Sequence, residues 1–229
     1  MSNGDKLKGF QSDECNYRNE IENMMMQINR QLCTLKHQIE EWDSAVEARS
    51  NLDMQISLLY SRLNAISNSF NIDDDPDSAQ RIFREQQAIR EEIDIAKRQK
   101  YMMEEKLNSL RPVLAQERLT ISEYLNPLLS FLERNKTIGA EIAQYKQLVE
   151  QACSTIAFGF QDKKYGQHIP SIVTAPQSQL KELIRLQRSF NDMSLNIANT
   201  AKQICQVRKE IDDRIGEEDD QYDYGAKKR

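Results

Sequence analysis

Apolar residues recur along this chain at steps of three and four, the period at which side chains share one face of an α-helix. The first stripe reads Tyr17, Ile21, Met24, Ile28, Leu32, Leu35, Ile39, Trp42 and Val46, in steps of 4, 3, 4, 4, 3, 4, 3 and 4. The doubled step of four marks a stutter in the heptad. After a polar interval at Arg49 to Asn51 the stripe resumes at Leu52, Ile56, Leu59, Leu63, Ile66 and Phe70. The pattern predicts a first long helix over 11–70, a rod of roughly 90 Å at 1.5 Å per residue, after a flexible N-terminus at 1–10.

Asn71-Ile-Asp-Asp-Asp-Pro-Asp-Ser78 then interrupts the pattern. Asp75 suits an N-cap, Pro76 the first helical position and Asp77 the positive end of a new helix dipole, so 71–78 reads as a corner between two helices. A calcium loop is excluded: no glycine stands at its sixth position, and its twelfth position, counted from Asp73, is Arg84.

The second stripe is the most regular. Ala79, Ile82, Gln86, Ile89, Ile93, Ala96, Lys100, Met103, Leu107, Leu110 and Leu114 follow alternating steps of 3 and 4 through five heptads, a coiled-coil signature. With Ala79 at position a, Gln86 and Lys100 also fall at a. There they either select a partner and register or, for Lys100, reach out to solvent along the aliphatic stem. Pro112 and Pro127 each remove a backbone donor, so the second helical region, 79–158, is expected to kink or break near both. Thr120 and Glu123 match a capping box, with Leu119 and Tyr124 at staple spacing, which leaves two readings: one kinked helix, or a fresh one starting near 120. The stripe continues through Leu128, Leu132, Ile138, Ile142, Tyr145, Val149 and Ile156.

Two glycines and two prolines mark 159–178 as a linker. A C-terminal helix is predicted over 179–215, carried by Leu183, Leu186, Phe190, Met193, Ile197, Thr200, Ile204, Val207 and Ile211 and stopped by Gly216. The charged segment 216–229 reads as a disordered tail. Between Gly9 and Gly139 there is no glycine for 129 residues, which favours long helices throughout. The fold expected is all-α, an elongated coiled-coil or helical-hairpin bundle with kinked long helices.

Composition narrows the function. Of 229 residues 29% are charged and 39% hydrophobic, with one tryptophan and a mean hydropathy of −0.72, so apolar surface is confined to stripes. A net charge of −5 argues against a dedicated nucleic-acid or anionic-membrane binder. Cys15, Cys33, Cys153 and Cys205 form no C-x-x-C pair, and neither a zinc nor a redox motif is written. No apolar run reaches a membrane span or a signal-peptide core, so an intracellular protein of cytoplasm or cytoskeleton, or of the nucleus, is expected. The sequon Asn135-Lys136-Thr137 then has no route to glycosylation.

Candidate chemistry is sparse. The two histidines, His37 and His168, stand apart from any nucleophile pattern; no Glu-x-x-His pair, Walker motif or dinucleotide fingerprint is present. No catalytic, metal or cofactor residue is assigned. Met24-Met25-Met26 reads as core filling before adaptable contact surface. Lys97-Arg98-Gln99-Lys100 and Lys163-Lys164 read as solvated helix charge before a contact to membrane, tubulin or RNA. Tyr222 and Tyr224 among acids form only a weak tyrosine-kinase pattern.

These features point to a non-enzymatic coiled-coil subunit of a heteromeric assembly. Its partners are expected to be other coiled-coil subunits, with no small-molecule substrate, and a hetero-oligomer is favoured over a homodimer. The expected partner-helix interface comprises Ile82, Gln86, Ile89, Ile93, Lys100, Met103, Leu107, Leu110, Leu186, Phe190, Ile197 and Ile204. In general design the chain looks like small acidic subunits of spindle, kinetochore and microtubule-nucleating complexes. Vesicle tethers, mediator assemblies of transcription and crescent-shaped membrane-bending homodimers are the alternatives.

Overall fold

The computed structural model describes the backbone of residues 3–69, 76–159 and 170–226. Among the described residues all four elements are helices: α1 (Asn3–Ser69), α2 (Pro76–Glu123), α3 (Leu125–Gly159) and α4 (Pro170–Ala226). The all-α expectation holds, and no strand occurs among the described residues.

Several boundaries differ from the sequence reading, each for a physical reason. The segment 1–10 is not a free terminus, because α1 is already formed at Asn3 and Phe10 is buried. The apolar face therefore begins at Phe10 and passes through Glu14 before Tyr17, in steps of 4 and 3. Farther along, Ala45 is buried and Val46 only partly so. With Ala45 in place of Val46 the stripe continues through the half-buried Arg49 to Leu52 without a polar gap.

Pro76 opens α2 as expected; the corner residues 71–75, with the proposed cap Asp75, lie outside the described residues. Pro112 sits inside α2 without ending it, and no helix starts at Thr120. The interruption falls at Tyr124, three residues before Pro127. There the Tyr124 amide bonds back to the Ile121 carbonyl at 3.4 Å, and the Leu128 amide to Tyr124 at 3.1 Å. Pro127 thus occupies the first turn of α3, where a missing N–H costs nothing because that group has no intrahelical acceptor.

The expected linker at 159–178 is shorter than its composition implied. Helix α4 starts at Pro170, with Pro at a position suited to it, and tolerates Pro176 inside; residues 160–169 lie outside the described set. Gly216 does not stop α4, which runs on to Ala226; no described glycine has the positive φ that a left-handed cap requires.

Contacts divide the chain into two units, Met1–Leu32 with Leu119–Glu210, and Cys33–Arg118 with Ile211–Arg229. In the first unit α1 runs antiparallel to α3, since Phe10 meets the Tyr145 ring (centroids 6.2 Å apart) while Tyr17 meets Phe131 (6.0 Å). It runs parallel to α4, shown by cross-pairs of constant sequence offset: Gln11 with Glu182, Glu14 with Arg185 and Arg18 with Ser189, each 171 residues apart. Tyr17 fills the centre, edge-on to Phe131 and Phe190 with the Arg134 guanidinium 4.2 Å above its ring.

In the second unit α1 and α2 form an antiparallel hairpin. Leu59, Ile89 and Ile93 build its buried cluster, with Leu63 and Ile66 packed against them. Trp42 is buried in the same unit, whose α4 segment joins through Arg214 on Asp43 (2.8 Å, again 171 residues apart) and Asp212 on Arg118 (3.0 Å).

Candidate functional site

The most elaborate polar arrangement grows from one charged residue on an apolar stripe. Glu14 takes a core position on α1, and only 9% of its side chain is exposed. A carboxylate placed there needs its lone pairs satisfied, because an unpaired buried charge is far costlier than a buried methylene. Four donors meet it: Arg185 reaches both oxygens at 2.7 and 3.1 Å, the Ser189 hydroxyl donates at 2.6 Å and Arg18 at 3.0 Å. Arg185 also holds Glu182, which accepts from Gln11 as well.

These contacts set the ionisation. The Arg185 guanidinium holds the Glu14 carboxyl below its ordinary value, against the opposing effect of burial, with Ser189 and Arg18 adding to the lowering. Glu182 is lowered by Arg185 and then Gln11, and Arg185 is raised by Glu182 and Glu14. The layer contains two carboxylates locked to cations and no free nucleophile. Its effect is positional: bidentate geometry fixes the height of α1 against α4.

Two grooves flank this region. One of about 330 Å³ runs between α1 and α3, with Phe10 and Tyr145 as its floor and Asp5, Asp13, Glu141 and Lys6 at its rim. Burial raises the Tyr145 pKa. The other, about 270 Å³, lies between α1 and α4 and is lined by Arg18, Met25, Asp192 and Met193 among others. Among the described residues no cluster of His, Cys, Asp and Glu has the makings of a metal site. No helix is long and apolar enough to cross a membrane, within the same residues. His37 is exposed; His168 and Lys163-Lys164 lie outside the described residues, as do the side chains of Tyr222 and Tyr224.

The expected partner-helix residues separate into two groups. Ile89, Ile93, Leu107, Leu186, Phe190, Ile197 and Ile204, expected at a partner-helix interface, are buried among helices of this chain. Ile82, Gln86, Lys100, Met103 and Leu110 are half-buried. The stripe they form is satisfied intramolecularly because α1 supplies a matching apolar face within the same hairpin. Gln86 donates to Ser67 on α1 at 3.3 Å, and Lys100 reaches Asp53 at 2.6 Å. Lys100 is thus neither buried bare nor simply solvated; its ammonium leaves the seam to pair across the hairpin. Its neighbour Lys97 donates to the Tyr60 hydroxyl at 2.7 Å, which raises the Lys97 pKa, so two cations of the predicted basic cluster are engaged within the chain.

What the pattern did not reveal is the outer surface of the hairpin. In the α1 arm, with Arg49 at position a, Leu58 falls at c; in the α2 arm Ile95 and Met102 fall at c. The cross-pairs Tyr60 with Lys97, both at e, and Arg62 with Glu85, both at g, show that like-lettered flanks face the same side. Leu58, Ile95 and Met102 therefore share one flank, and they are 67, 52 and 60% exposed. Periodicity alone missed them because they lie off the stripe. The signal was their isolation at c positions, which ordinarily carry polar residues. Met24 and Met25 are half-buried and Met26 is exposed, so the methionine run is only partly core.

Comparison with known proteins adds no relative: no family model, curated protein or solved structure matches the chain.

Proposed function

We propose that this chain is a non-enzymatic coiled-coil subunit of a heteromeric intracellular assembly, and that the hairpin of its second unit is the part that receives the partner. The observation that carries this reading is the flank bearing Leu58, Ile95 and Met102. Large apolar side chains grouped on one side of a helical pair and rimmed by charge are characteristic of protein contact surfaces. The grooves of the first unit support the non-enzymatic part: they follow helix faces, and the acids of its polar layer are already paired.

The uneven α1 stripe is met by this chain's own helices, and the proposed partner, a different protein rather than a second copy, takes the hairpin flank. The α1 stripe takes two consecutive steps of four at Met24–Ile28–Leu32 and two of three at Ile39–Trp42–Ala45, whereas α2 holds a strict heptad. Such irregularities are matched most readily by a helix with compensating ones. The resemblance in general design to subunits of microtubule, spindle and kinetochore complexes makes these the first settings in which to seek the partner.

The test is affinity purification of the tagged full chain from its native cell, with mass spectrometry, beside light scattering on the purified chain. Stoichiometric partners with the native chain and their loss on Leu58→Asp/Ile95→Asp/Met102→Asp support the reading. A compact monomer that recovers no partner overturns it.

A further inference from the structure

The outermost line of α4 in the first unit differs in charge pattern from the corresponding line of α2. With Leu183 at position a, the f positions of α4 over 181–209 are Lys181, Arg188, Leu195, Lys202 and Lys209, all exposed. They recur every seven residues, roughly 10.5 Å apart at 1.5 Å per residue. Four are cations, none is an acid, and none of the four cations pairs with an acid among the described residues. The f positions of α2 over 77–105 are Asp77, Arg84, Glu91, Arg98 and Glu105, also all exposed and strictly alternating in sign. Alternation is what a solvated helix face adopts, since it supports the helix and leaves no net field. A single-sign line in a chain of net charge −5 has a different use.

We infer that this face of α4 docks an acidic helix of a partner protein, with carboxylates at seven-residue intervals against Lys181, Arg188, Lys202 and Lys209 and an apolar side chain against Leu195. The spacing selects the occupant. Duplex nucleic acid carries a charge about every 1.7 Å along its axis, which cations at roughly 10.5 Å neutralise poorly. Single strands need aromatic platforms for their bases, and the line contains no aromatic residue. A membrane-surface helix inserts an apolar face, but the apolar face of α4 is closed by Leu186, Phe190 and Ile197 in the core. A partner helix presents charge with the same period as α4 itself. Leu195, 60% exposed at the middle of the line, gives that contact an apolar centre.

The inference rests on the assembly reading and adds a second, electrostatic docking face to the hairpin flank. The probe is an alanine-rich helical peptide of about 28 residues with glutamates at seven-residue intervals and a central leucine, titrated into the full chain. Binding at low ionic strength that weakens about tenfold on moving to roughly 0.15 M salt is expected. The charge reversal Lys181→Glu/Arg188→Glu/Lys202→Glu/Lys209→Glu should lower affinity at least about tenfold without moving the thermal midpoint. Reversal of Arg84 and Arg98 on α2 should leave it unchanged.

Equal binding of a peptide with the same glutamates at irregular spacing overturns the inference. So does tighter capture of single-stranded RNA or anionic vesicles that the same reversals abolish. Partners recovered from the cell equally by the native chain and by the reversal variant also overturn this face but leave the assembly reading standing. Recovery of none by either removes the assembly reading, and the peptide titration then judges the face alone.

Discussion

Glu14 and Arg185, 171 residues apart in sequence, meet at 2.7 Å across the α1–α4 pair of the first unit. The carboxylate is 9% exposed and the guanidinium side chain 50%. That inequality decides which partner matters more. Without Arg185, a buried carboxylate keeps only Arg18 and Ser189; without Glu14, an arginine already half in solvent simply hydrates.

Arg185→Ala should therefore destabilise the fold by about 2–3 kcal/mol and Glu14→Ala by about 1–2 kcal/mol, measured by urea unfolding. Glu14→Leu should cost little or stabilise, because the position lies on the apolar stripe and the arginines released are partly exposed. Equal losses for Arg185→Ala and Glu14→Ala would contradict the burial asymmetry.

Acid should act through the same layer. Glu14 and Glu182 both titrate below their ordinary value of 4.5 in the folded chain. A lowered carboxyl contributes stability that is fully present above its unfolded pKa and is lost as pH falls through the folded one. The thermal midpoint should thus be insensitive to these two groups at neutral pH and begin to fall as the solution is acidified past 4.5. Glu14→Gln should make that acid limb shallower; an unchanged limb would show that Glu14 does not contribute to it.

Asn135 fills the gap between Leu132 and Ile138 on the α3 stripe. It is 2% exposed, and neither amide atom has a hydrogen-bond partner. Asn135→Leu should stabilise the chain by about 1–2 kcal/mol, seen as a higher urea midpoint with unchanged slope. The same burial closes the Asn135 sequon to glycosylation in the folded state. An Asn135→Leu variant less stable than the native chain would mean that the amide is satisfied in solution.

Leu58, Ile95 and Met102 are each more than half exposed, so their single substitutions by aspartate should each change stability by less than about 0.5 kcal/mol. Partner recovery should nevertheless fall with each substitution. Loss of folding, read by circular dichroism, would place these side chains in the core instead.

Much of the helical layout was legible because stripes at three and four spacing report directly which face is buried. Ile89, Ile93, Leu107 and Leu114 on α2 all proved buried where the heptad placed them. Glu14 and Asn135 were not legible, since a polar residue at a stripe position reads as a gap until its donors or its enclosure are visible. Whose helix covers a stripe was also hidden. Ile93 has the same spacing whether its neighbour is Leu59 of the same chain or a leucine of another. Composition misjudged 170–178 and Gly216 for a related reason: proline is compatible with a first helical turn, and a glycine lowers helix propensity without forbidding the helix.

The constant offset of 171 between α1 and α4 has a consequence for synthesis. On the ribosome, the hairpin of α1 and α2 can close soon after it emerges, whereas Glu14 waits for Arg185 and Ser189, and Tyr17 for Phe190. At the usual elongation rates of about 5–20 residues per second that delay is roughly 10–30 s. Through that interval the nascent chain carries a carboxylate without its arginine and an apolar stripe that α3 covers only in part. The N-terminal stretch is the part of this protein for which a holding chaperone matters most.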